Sequence, residues 1–133
     1  MVNSDSETIL REAHTIAVVG LSNNPLKASY GVARYLQAHG YRVIPVNPNE
    51  QEVLGETSYA TVADIPEQVD LVDVFRVPAA TPEVARDAVH AGAKALWLQL
   101  GITNPETRRI AAEGGLAYVE DACTKIVHAM MRQ

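Results

Sequence analysis

The sequence predicts a doubly wound α/β domain, with a mostly parallel sheet of five to six strands and helices on both faces. Three observations predict it. Short apolar runs rich in β-branched residues alternate with longer stretches of helical spacing, the pattern of a parallel sheet covered by helices. The runs lack apolar/polar alternation, as strands buried on both faces do. At 133 residues the chain has room for one core of ordinary size, so 1–133 reads as one domain.

Each element has its own signal. Ser4 and Glu7 form a capping box that opens a helix through about Ala13. The apolar run 15–20 is the first strand. A polar loop over 21–29 leads to a helix over about 30–39, where Val32 and Leu36 share a face and Gly40 supplies the stop. Arg42–Val46 is the second strand, broken by Asn47-Pro48-Asn49. Over 50–70 the signals are short: 52–54 reads as a brief strand and 61–65 as one helical turn. The run 71–77 is the next strand, and Thr81-Pro82-Glu83 starts a helix with Thr81 as N-cap, which Gly92 ends. A strand over 95–100 precedes a helix capped by Asn104-Pro105-Glu106 and ended by Gly114-Gly115. A strand over 116–119 and a helix with Asp121 as N-cap complete the chain.

Right-handed crossovers favour the strand order 3-2-1-4-5-6, in which the chain reverses direction between the strands at 15–20 and 71–77. Open α/β sheets bind ligands at that switch point, outside the carboxyl ends of the strands. The crevice so nominated has 20–29 on one wall and 75–78 on the other.

Composition narrows the partners. Sixteen acids against eleven bases give a net charge of −5, which disfavours bulk binding of nucleic acid. The single cysteine, Cys123, excludes an internal disulfide and a cysteine-rich zinc site and suits a reducing compartment, so a cytoplasmic location is expected. No apolar run approaches the roughly 18 residues of a membrane span, and no targeting signal is visible.

The loop after the first strand carries the clearest chemistry. A helix N-terminus offers unpaired amides and a positive dipole end, and a phosphate satisfies both. Gly20 permits close backbone approach, Ser22 and Ser29 offer hydroxyls, and Lys27 brings a full charge. Neither standard phosphate fingerprint is present. Ser22 stands where the second glycine of Gly-x-Gly-x-x-Gly belongs, and the P-loop spacing is absent. Asn47-Pro48 occupies the strand tip where NAD sites carry an acid.

Val18-Val19-Gly20-Leu21-Ser22 with Pro25, Lys27 and Ser29, the run from Tyr41 to Pro48, Asp73-Val74-Phe75-Arg76-Val77-Pro78, and Trp97-Leu98-Gln99-Leu100-Gly101 are four segments that together resemble the small stand-alone CoA-binding proteins. The chain is similar in turn to the CoA-binding N-terminal domain of the succinyl-CoA synthetase α subunit, which implies a Rossmann-like fold. The resemblance implies that Gly20, Leu21, Ser22 and Asn23 receive the pyrophosphate of coenzyme A, with Lys27 and Ser29 adding charge and hydrogen bonds. It places Val46, Asn47 and Pro48 beside the adenosine, and Arg76, Val77, Pro78 and Gln99 on the crevice floor toward the pantetheine arm. One position departs: many relatives carry a lysine just after Asn-Pro, suited to the 3′-phosphate, whereas Asn49 and Glu50 follow here. Lys27 or Arg42 is then left to supply that contact.

Other residues have competing readings. Arg76 either faces ligand or pairs with an acid such as Asp73. Trp97, inside an apolar run, reads as core, and Asp73 as a buried acid that needs hydrogen bonds. Cys123 shares a helical face with Ile126, Val127 and Met130, which points to a core thiol. As a first-turn residue it is also a candidate redox thiol for a mixed disulfide with CoA. His14, His39, His90 and His128 lie on separate helices or their ends, with no metal cluster or catalytic pairing visible, and no catalytic set can be named. The expected function is therefore noncovalent binding of CoA or an acyl-CoA by a carrier, sensing or regulatory module. The alternatives are an NAD(P)-dependent oxidoreductase or other nucleotide-using enzyme on the same fold, and an interaction or scaffold domain with a degenerate pocket.

Overall fold

The structure is a computed structural model that describes residues 5–131. Its strands are Thr15–Val19 (β1), Arg42–Val46 (β2), Glu52–Val53 (β3), Glu56–Thr57 (β4), Leu71–Val74 (β5), Ala95–Leu98 (β6) and Ala117–Val119 (β7). Its helices are Ser6–Glu12 (α1), Ala28–Ala38 (α2), Thr81–His90 (α3), Pro105–Glu113 (α4) and Thr124–Met130 (α5). Five strands form one parallel sheet in the order β2-β1-β5-β6-β7.

Alternate residues of each strand feed two cores. Ile16 and Val18 of β1, Leu71 of β5 and Trp97 of β6 pack with Leu10, Val32, Leu36 and Val127 of α1, α2 and α5. Ala17, Val19, Val72, Val74 and Leu96 point the other way, against Val84, Ala88 and Ala111 of α3 and α4. Both faces are covered, which is why the strands read as unbroken apolar runs. Trp97 is fully buried and donates its indole N–H to the Ala122 carbonyl at 2.8 Å.

The structure corrects several expectations. The segment 52–54 does not extend the main sheet. Leu54 and Gly55 both take positive φ, 54° and 80°, and close a two-residue hairpin between β3 and β4. The place beside β2 goes to Tyr59 alone, which donates to Pro45 O at 3.1 Å and accepts from Asn47 N at 2.8 Å. The order 3-2-1-4-5-6 therefore lacks its outermost strand.

Helix α2 starts earlier than expected and takes in Ser29. Thr81 is not a cap. A 3₁₀ turn over Pro78–Ala80 runs straight into α3, and the Thr81 hydroxyl donates to Pro78 O while pairing at 2.6 Å with the buried Thr107 hydroxyl of α4. Asp121 does not cap the last helix either. It sits at φ 54° and accepts the Gly101 amide at 2.7 Å, and Cys123 takes the N-cap position of α5. The Ser4 end of the expected capping box lies outside the described residues.

Candidate functional site

The site grows out of the strand ends. Gly20 leaves β1 at φ 86°, and a Cβ built on it would stand 2.2 Å from the Phe75 carbonyl oxygen. Its amide donates to Val46 O at 2.8 Å, and the Phe75 amide donates to Val19 O at 2.8 Å. The end of β1 is thus wedged between the ends of β2 and β5, a fit open only to glycine. Above this floor lies a cavity of about 360 Å³ lined by Gly20, Asn47, Pro48, Asn49, Phe75 and Arg76. A second, of about 280 Å³, continues toward α3, where Thr61, Glu83 and Asp87 join Pro48 and Arg76.

The loop over 21–27 satisfies most of its own donors. Ser22 N–H donates to Ser29 Oγ at 3.2 Å and Asn24 N–H to Ser22 Oγ at 3.0 Å. Leu26 N–H reaches Asn24 Oδ1 at 2.9 Å, and Lys27 N–H reaches the Asn24 carbonyl at 3.0 Å. Both serine hydroxyls therefore accept from the loop itself and keep only their own protons to donate. Leu21 turns its side chain fully into the core, and its carbonyl accepts Asn47 Nδ2 at 3.0 Å. Asn23 stands apart: its amide donates to Glu50 Oε2 at 3.0 Å, and its Nδ2 to Glu50 Oε1 and Glu52 O at 2.8 Å each. These bonds, the backbone one foremost, hold the Glu50 carboxyl below the usual carboxylate range.

Charge is distributed unevenly around the crevice. Among the described residues Lys27 and Arg76 form no ion pair, whereas Arg42 is held by Glu56 and Glu67 at 2.9 Å each. Arg42 begins β2 and Asn47-Pro48 follows its end, so a five-residue strand separates this guanidinium from the crevice and removes it as a 3′-phosphate contact. The pairing of Arg76 with Asp73 is likewise overturned. Asp73 is fully buried and accepts from Gln99 Nε2 at 2.5 Å and Thr124 Oγ1 at 3.0 Å. Burial raises its carboxyl to about 7, against those two hydrogen bonds. Burial, then the neighbouring Glu83, raises the Asp87 carboxyl.

The structure brings together Gly20, Val46, Asn47, Pro48 and Arg76 around the cavities, with Ser22, Asn23 and Lys27 in the adjoining loop and Ser29 in the first turn of α2. Val77 lies at the crevice edge, 65% exposed, and the Pro78 carbonyl is engaged by Thr81 and Asn104. Gln99 is elsewhere: its side chain enters the buried cluster with Asp73 and Thr124. Cys123 lines neither cavity and packs half-buried against the Trp97 core. Of the face expected to bury it, Val127 packs inward while Ile126 and Met130 are exposed.

Sequence reading did not single out Ala60, Thr61, Glu83 or Asp87, which reach the cavities from an irregular segment and from the helix after β5. Nor did it pair His39 with His128, whose rings approach to 5.2 Å around Tyr35. Among the described residues no group of three or more His, Cys, Asp or Glu is placed to hold a metal ion. No described helix is long and apolar enough to cross a membrane.

A family model described as the CoA binding domain matches residues 14–129. The uncharacterized protein YneT of Bacillus subtilis is 35% identical over 129 residues, covering 97% of this chain and 96% of that one. The alpha subunit of an ADP-forming acetate–CoA ligase II of Pyrococcus furiosus is 47% identical over 57 residues. That match takes in 42% of this chain and only 12% of the ligase subunit. A solved hypothetical protein from Pyrococcus horikoshii superposes with a TM-score of 0.93 at 39% identity, covering 97% of this chain and 91% of that one.

Proposed function

The chain belongs to the CoA binding domain family, and from that premise we propose that it acts as one noncovalent binding module for coenzyme A or an acyl-CoA, with a carrier, sensing or regulatory role. The observation that carries the reading is the cavity at the switch point, floored by Gly20 and flanked by the unpaired guanidinium of Arg76. A diphosphate lying over Gly20 meets Arg76 on one side and the Ser22 hydroxyl and Lys27 on the other. Both cations are free to pair with phosphate because no acid among the described residues holds them. Val46, Asn47 and Pro48 border the adenosine, and the exposed Val77 offers apolar surface to the pantetheine arm.

Thermal unfolding with CoA, dephospho-CoA, NAD, NADP and ATP tests this. At a hundredfold excess over its dissociation constant CoA adds about 2.7 kcal/mol to the stability of the folded chain. Arg76→Ala lowers that affinity by about tenfold, the loss of one charge-assisted contact, and leaves the unliganded melting temperature unchanged because the side chain is exposed. Stabilisation by NAD or NADP but not CoA favours an oxidoreductase. No stabilisation by any of the five removes the proposal in favour of a scaffold.

A further inference from the structure

Among the described residues, the one acid bound to the loop is Glu50. Its carboxylate takes both the backbone and the side-chain N–H groups of Asn23, at 3.0 and 2.8 Å, a two-pronged charge-assisted grip. Every other loop amide whose partner has been described donates to a neutral oxygen: a serine hydroxyl, the Asn24 side chain or the Asn24 carbonyl. An anion therefore already sits at the loop, and the protein supplies it.

The rim that carries Glu50 is firmly attached. Asn47 Oδ1 accepts Asn49 N at 2.9 Å, the Asn47 carbonyl accepts Glu50 N at 3.2 Å, and Asn47 Nδ2 is tied to Leu21 O. Asn23 Nδ2 keeps a separate bond to the Glu52 carbonyl. The carboxylate can consequently leave by rotating its own side chain, with the backbone on both sides still held.

We propose that Glu50 is a tethered competitor: its carboxylate occupies the anion position at Asn23, so that a ligand phosphate reaches that amide only by displacing it, and Glu50 thereby sets the affinity and charge selectivity of the site. This rests on the reading of the crevice as a diphosphate site. Displacement costs the ligand two charge-assisted hydrogen bonds, and the swung-out carboxylate remains near enough to repel each added phosphate.

Inorganic pyrophosphate and CoA are titrated separately into the wild-type chain, Glu50→Gln and Glu50→Asp, while the Asn23 amide is followed by NMR. Glu50→Gln removes the charge at nearly constant shape. Pyrophosphate then binds about fivefold or more tightly than to wild type and shifts the Asn23 amide. Glu50→Asp, with a shorter arm that cannot span the same gap, falls between the two. Equal or weaker pyrophosphate binding to Glu50→Gln overturns the proposal, as does an Asn23 amide that pyrophosphate leaves unmoved in all three chains. If pyrophosphate gains as expected but CoA binds none of them, the competitor stands and the CoA reading falls. If CoA binds all three alike and pyrophosphate shows no gain, the CoA reading stands and the competitor falls.

Discussion

A methyl group on Gly20 would meet the Phe75 carbonyl oxygen at 2.2 Å on a backbone already at positive φ, and neither the sheet nor the β5 end can step aside. Gly20→Ala accordingly destabilises the chain by about 2 kcal/mol or more, read as a lower urea midpoint with an unchanged slope. Gly20 was legible because a glycine closing a buried strand has few other reasons to be there. Gln99 was half legible. Trp97 reads as core, and period-two alternation puts Gln99 on the same face, where Asp73 stands opposite Trp97 in the register. The carboxylate waiting there belongs to a strand 26 residues away in sequence, and no local pattern announces such a partner. Glu50 was visible as a departure from the family pattern, but its grip on Asn23 spans 27 residues and depends on a hairpin that the sequence hardly signals.

Elements were most legible where their boundary chemistry is local. Asn104 Oδ1 accepts the amides of Glu106 and Thr107 at 2.9 and 3.1 Å, with Pro105 behind it, so α4 starts where its cap says it should. Asn104→Ala removes both bonds and one to the Pro78 carbonyl. The expected loss is about 1 kcal/mol, seen as a lower thermal midpoint with CoA affinity preserved. Asp121 and Thr81 carry equally good cap chemistry, yet their side chains serve other elements: Asp121 the Gly101 amide after β6, Thr81 the threonine pair joining α3 to α4. The β3–β4 hairpin escaped notice because its turn is Leu-Gly, and a leucine at positive φ gives no warning.

At the scale of the molecule, one buried acid joins three elements. Asp73 lies on β5, Gln99 follows β6 and Thr124 opens α5, so the trio ties sheet to helix. The Asp73 carboxyl is raised to about 7 from an ordinary value near 3.8, because burial penalises its charge. The folded state therefore binds a proton more tightly than the unfolded chain. Its contribution is fully present below pH 4 and is lost as pH rises through about 7. Denaturation at pH 5 and pH 8 should show the chain less stable at pH 8 by an amount on the order of a few kcal/mol, and Asp73→Asn should flatten that difference. The sheet order around β1 was readable from handedness alone, since right-handed crossovers leave few choices. Its missing outer strand was not, because the place beside β2 is filled by a single residue, Tyr59.

The wedge at Gly20 also divides labour between parts of the fold. Main chain builds the floor, locked by β2 on one side and β5 on the other, so an altered ligand preference cannot arise there without unfolding risk. The rim over 47–52 meets solvent and contributes little to either core, so a one-codon change at position 50 would reset what the pocket accepts while the scaffold stays as it is. Floor and border can therefore change independently, the one fixed by strand pairing and the other open to solvent.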